Sequence, residues 1–156
     1  LIDWLEAHWP AQEGQPVVIW GDARPANVLW RDFAPVAVLD WEIATVGPRE
    51  LDVGYIIFFH KYFQHIARAM VGLEAMPDFM RRDDIVAAYE AQTGTRLRDI
   101  DWYITYGLLH QAVTEIRITQ RRILFDEFEP PANPDDYLFS RGLIEQVLAG
   151  NTQLWA

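Results

Sequence analysis

The sequence predicts a mainly helical α+β chain in which a small β-hairpin stands at one end and the helices pack behind it. Three observations lead there. Residues 17–39 hold three short apolar, β-branched runs separated by Gly, Asp and Pro, the punctuation of strands and tight turns. Beyond Pro48 the apolar residues recur at helical spacing instead, with glycines at the stops. Finally, 51% hydrophobic and 13% aromatic residues in a chain of 156 supply the core of one domain over 1–156.

Leu1 to Trp9 reads as an amphipathic helix already under way, with Leu1, Trp4 and Leu5 on one side. A polar connector through Pro16 leads to Val17-Val18-Ile19-Trp20, bounded by Gly21 and expected to be a buried strand. Val28 to Arg31 and Val36 to Leu39 flank Asp32-Phe33-Ala34-Pro35, a connection short enough for a hairpin. Pro48 suits a first helical turn, and the dense apolar run from Leu51 to Phe63 predicts a helix buried over most of its surface. Asp83 to Thr93 forms a second helix stopped by Gly94, and a third runs from a capping Asp99 to about Phe125. Glu127 to Asp136, rich in proline and carboxylates, is a surface loop. Tyr137 to Leu148 closes the chain as an amphipathic helix before Gly150.

Thirteen Lys and Arg against 23 Asp and Glu give a formal charge of −10, the wrong sign for a phosphate backbone, so no nucleic-acid partner is expected. No stretch reaches the roughly 18 consecutive apolar residues that a membrane helix needs, and no secretory leader is visible. A soluble, cytoplasmic chain is therefore expected, with no membrane partner. The absence of cysteine removes disulfides, thiolate ligands and cysteine nucleophiles together.

Chemistry concentrates in Trp20-Gly21-Asp22-Ala23-Arg24-Pro25-Ala26-Asn27, where a carboxylate, a cation and a carboxamide share one loop. Asp40 ends the third apolar run, with Trp41 and Glu42 behind it. Singly, Asp22 and Asn27 are ordinary turn residues. Jointly they have the layout of phosphoryl transfer from a nucleotide: an Asp to orient the acceptor hydroxyl, an Asn five residues on, and an Asp after the next hairpin to hold magnesium. Arg24 has two readings, stabilising charge on the transferred phosphate or pairing with Glu42 or Asp52. His60 and His65 lack the i, i+4 spacing of a zinc pair and, with His110, read as packed or surface residues. Tyr55, Phe58, Phe59, Tyr62 and Phe63 read as core, some of them free to line an acceptor pocket. The acidic loop from Asp126 to Asp136 is ordinary solvated surface; set beside Asp22, its carboxylates would favour a cationic acceptor.

Gly21-Asp22-Ala23-Arg24-Pro25-Ala26-Asn27 with Leu39-Asp40-Trp41-Glu42 resembles the catalytic core of the aminoglycoside phosphotransferase and choline kinase-like family, small-molecule relatives of the protein kinases. That family's pattern is His-Gly-Asp, four residues, Asn, and later an Asp followed by an aromatic and an acid. Gly47-Pro48-Arg49-Glu50-Leu51-Asp52 resembles the family's turn into the next helix. The match is close over residues 17–55 and holds in outline beyond. The resemblance implies the C-terminal lobe of a protein kinase-like fold, in an enzyme that moves the γ-phosphate of ATP or GTP, with Mg2+, to a hydroxyl of a small molecule. It makes Asp22 the catalytic base or orienting carboxylate and Arg24 a charge-stabilising group. Asn27 and Asp40 become nucleotide-facing magnesium ligands, Glu42 a further acid at the metal, and Asp52 a support tying down loop backbone at a helix start.

Two departures from the family pattern stand out. Trp20 replaces the family's His, a brace for the catalytic loop. No Gly-rich phosphate loop and no strand Lys paired with a helix Glu occur in the sequence, which also starts at Leu1. The chain is therefore expected to be a lobe whose N-terminal, nucleotide-covering partner lies outside it, and to be inactive alone. Two rivals follow: a non-catalytic, kinase-derived binding or regulatory module, and a metal-dependent hydrolase using Asp22, Asp40 and Glu42. Both catalytic readings require Asp22, Asn27 and Asp40 to converge at the mouth of the hairpin.

Overall fold

Helix α1 (Ile2–Ala7) leads into strand β1 (Pro16–Ile19), the hairpin β2 (Val28–Arg31) and β3 (Ala34–Val38), and strand β4 (Thr45–Pro48). Helices α2 (Glu50–Val71), α3 (Arg82–Thr93), α4 (Ile100–Leu124) and α5 (Arg141–Leu148) follow, with short 3-10 turns over Pro25–Asn27 and Pro134–Tyr137. The computed structural model describes residues 1–156 apart from 75, 77, 152 and 156. The α+β class stands, with the helices carrying the core.

That core is built on α2 and α4. Ile57 and Phe58 on α2 and Ile104 and Leu108 on α4 are 0% exposed, each pair on the inward stripe of its helix. Leu143 and Val147 of α5 close the cluster. Each such side chain stabilises the fold by about 1.5–3 kcal/mol relative to leaving it in water. The two long helices approach closely at Gly54. A Cβ there would lie 2.8 Å from the carbonyl carbon and Cβ of Tyr103, closer than atoms can pack.

The strands form two separate antiparallel pairs. β1 runs against β4, from Pro16 opposite Pro48 to Ile19 opposite Thr45. β2 runs against β3, with Val28 opposite Val38 and Arg31 opposite Ala34. The hairpin therefore turns on Asp32 and Phe33 alone, whose φ values of 49° and 61° are those a two-residue type I′ loop demands.

Several expectations change. The Val17 to Trp20 run is a strand, but only Ile19 is buried and Val18 is 73% exposed, because a two-stranded sheet covers one face of β1 and leaves the other outside. The hairpin runs, too, are largely exposed. β4 was not expected: Thr45-Val46-Gly47-Pro48 carries two strand-weakening residues, and Pro48 ends it rather than opening a helix. α2 continues past Phe63 to a left-handed Gly72, its final turns exposed and so without the apolar density that marks its start. Asp99 precedes α4 but adopts a left-handed φ of 48° and its side chain makes no capping bond; that geometry needs an extended residue. α5 starts at Arg141, since residues 134–137 form the 3-10 turn. The stop of α3 at Gly94 is as expected, with φ 66°. Among the described residues no helix is long and apolar enough to cross a membrane.

Candidate active site

The loop after β1 is shaped by three local constraints. Gly21 takes φ 88°, and a Cβ on it would stand 2.8 Å from the Ile43 carbonyl oxygen, so only glycine fits. Pro25 opens the 3-10 turn from an extended Arg24, and the Asn27 N–H closes it on the Arg24 carbonyl at 3.0 Å. The turn folds Asn27 back on Asp22: its side-chain amide donates to Asp22 Oδ2 at 2.6 Å. Asn27 is 8% exposed, and this bond is what its burial requires.

Arg24 completes the group from the other side. Its Nε and Nη2 both lie 3.1 Å from Asp22 Oδ2, and its guanidinium lies 5.2 Å from the centre of the Phe59 ring. It pairs with neither Glu42 nor Asp52, because Asp52 is already engaged. From the first turn of α2, Asp52 accepts the Trp20 N–H at 2.7 Å on one oxygen and the Gly21 N–H at 2.8 Å on the other. The pairing of β1 with β4 makes this possible by bringing the start of α2 beneath the loop. Asp52 thus joins loop backbone to the start of α2.

Asp40 is connected to the loop through the hairpin. The Leu39 N–H donates to the Asn27 carbonyl at 2.8 Å, extending the β2–β3 ladder by one step so that Asp40 follows beside Asn27. Asp40 is exposed and left-handed, with φ 63°. Its carbonyl accepts the Trp20 indole N–H at 3.0 Å, and the Leu39 carbonyl accepts the same N–H at 2.7 Å. Trp20 thus braces the Asp22 loop against the Asp40 loop. Glu42 is exposed two residues on. Among the described residues no three His, Asp or Glu side chains gather closely enough to hold a metal, so Asp22, Asp40 and Glu42 do not form the carboxylate cluster of the hydrolase reading.

A cleft of about 390 Å³ opens beside Asp22 and Arg24. Its walls include Tyr55, Phe59 and Tyr62 of α2 and His110, Gln111 and Ile118 of α4. Tyr55, Phe59 and Tyr62 are also core, so the same residues serve the packing and the cleft wall. Burial first, and then the Asp22 carboxylate, pushes the Tyr55 hydroxyl well above the usual tyrosine range, while Arg24 opposes this. His110 is not simply packed or superficial; its ring meets Tyr55 edge-on at 5.7 Å on the cleft wall. Periodicity within α4 marks His110 as outside the core stripe, but only the crossing of α4 over α2 shows what it faces. Behind the wall, Tyr62 donates to Glu115 at 2.6 Å, and the N–H and hydroxyl of Ser140 donate to the other Glu115 oxygen at 3.1 and 2.8 Å.

A family model described as the phosphotransferase enzyme family matches residues 1–90, more than half of the chain. The chain belongs to that family. Among curated proteins, acyl-CoA dehydrogenase family member 11 of Pongo abelii is 31% identical over 62 residues, 38% of this chain and 8% of the relative. Acyl-CoA dehydrogenase family member 10 of Mus musculus is 42% identical over 57 residues, 35% of this chain and 5% of the relative. The matched stretch therefore spans less than a tenth of either relative's length.

Proposed function

We propose that the chain is the acceptor-side lobe of a phosphotransferase that moves the γ-phosphate of ATP or GTP to a hydroxyl of a small molecule. The observation that carries this reading is the Asn27–Asp22 hydrogen bond at the mouth of the hairpin, one ladder step from Asp40. Asn27 and Arg24 converge on Asp22 Oδ2, so Oδ1 is the oxygen left to orient the acceptor hydroxyl and take its proton. Arg24 brings positive charge to the place where the phosphate is transferred. The Asn27 amide nitrogen is spent on Asp22, which leaves its carbonyl oxygen, with the Asp40 carboxylate, to hold magnesium; Glu42 is a further acid beside them. This donor set fits the ion, which takes one or two protein oxygens and completes its shell with phosphates and water. When bound, the magnesium nucleotide supplies the phosphoryl group and neutralises its charge. An N-terminal lobe outside residues 1–156 would cover the nucleotide, and the cytoplasm is the compartment in keeping with this substrate.

The test is phosphate transfer by the full-length protein with ATP, Mg2+ and a panel of hydroxylated small molecules. Asp22→Ala is expected to lower acceptor-dependent transfer by about 10²- to 10⁴-fold. Transfer that survives Asp22→Ala undiminished would remove Asp22 from the chemistry. A full-length protein that binds no nucleotide with magnesium would return the chain to the regulatory-module reading.

A further inference from the structure

Resting on the phosphotransferase reading of the site, we infer that the acceptor is an alcohol borne on an apolar aliphatic or aromatic body and carrying no ammonium group. The cleft beside Asp22 points to this through its walls. Phe59, Phe63 and Ile66 of α2, Ile118 of α4 and Ile43 give it an apolar lining. Its uncharged polar groups include Gln111 and Thr114, and His110 adds no negative charge.

An ammonium group leaving water for such a cleft needs a carboxylate to meet it. Among the described residues the one carboxylate on the wall is Asp22, and Arg24 lies 3.1 Å from it. The acidic stretch that would have favoured a cationic acceptor lines none of the cleft; its Asp135 and Asp136 lie 3.9 and 3.4 Å from Arg141 instead. Glu115, one layer behind the wall, is 4% exposed and engaged by Tyr62 and Ser140. Aromatic rings can also receive a cation, and Tyr55, Tyr62 and Phe63 line the cleft as well, but the Arg24 guanidinium is already inside it, 5.2 Å from the Phe59 ring centre. A second cation there would meet like charge. An apolar body gains instead from every part of the wall it covers.

The experiment compares 1-hexanol with (6-hydroxyhexyl)trimethylammonium, which share the hydroxyl and the chain and differ in the terminal group. Binding to the full-length protein by calorimetry and phosphate transfer from ATP are measured side by side. Hexanol is expected to bind at least tenfold more tightly. Ile118→Glu, at a position 53% exposed and so tolerant of a charge, is expected to narrow that gap at least tenfold, while Ile118→Gln preserves it. Equal or tighter binding of the ammonium compound by the wild type, failure of both to bind, or indifference to Ile118→Glu overturns the inference. If the expected order of binding holds and neither alcohol is phosphorylated, the cleft assignment stands and the phosphotransferase reading fails. If the ammonium compound is the better phosphate acceptor, the reading stands and the inference falls.

Discussion

Trp20 ties three segments together with two N–H groups. Its backbone bonds to Asp52 on α2, and its indole bonds to the carbonyls of Leu39 and Asp40. Trp20→Phe keeps a ring of similar character and removes the indole donor, which should cost about 0.5–1.5 kcal/mol of stability. Because the freed carbonyl is that of Asp40, the KM for the magnesium nucleotide should rise more than kcat falls. Trp20→His, which retains a ring N–H, should recover much of the loss; identical kinetics for the two variants would show that the indole only fills space. The sequence marked this position, since Trp stands where the family has His, yet the bond partners are main-chain carbonyls that no spacing reveals. Arg24 is a similar case. Sequence offered Glu42, Asp52 or a phosphate as its partner, and the structure pairs it with Asp22 two residues away because backbone N–H groups already occupy Asp52.

At the level of elements, the crossing of α2 over α4 decides both stability and the shape of the cleft. Gly54 faces the Tyr103 backbone, which cannot rotate away, so Gly54→Ala should destabilise the chain by about 1–3 kcal/mol in chemical denaturation. Gly107 faces the Phe58 ring, where an added Cβ would lie 3.2 Å away, so Gly107→Ala should be milder because a ring can shift. Equal losses at both positions would mean that the helices separate as a unit. The long helices were legible because Ile57, Phe58, Ile104 and Leu108 follow helical spacing. The cleft was not, since residues as distant as Phe59 and Ile118 become neighbours only through the crossing. β4 escaped for a local reason: a strand ending in Gly-Pro announces itself only when its partner is in place.

For the whole molecule, the class was legible in the change from strand punctuation to helical periodicity at Pro48. It also overstated burial, because apolar runs say nothing of what covers them. Leu29 is 49% exposed, Trp30 54%, Phe33 99% and Trp41 51%, so the hairpin presents hydrocarbon to water next to the candidate site. The same chain has a formal charge of −10, and at neutral pH that repulsion opposes contact between copies. As carboxylates gain protons on the way down to the isoelectric point near pH 4.7 the repulsion fades while the hairpin remains outside. Light scattering should therefore rise as the pH is lowered to that point, and Phe33→Ser with Trp30→Ser should lessen the rise; scattering indifferent to both would place the sticky surface elsewhere. Salt supplies the same loss of repulsion without a proton. Charge is thus the colloidal insulation of this chain, and the buffer chosen to study it sets how thick that insulation is.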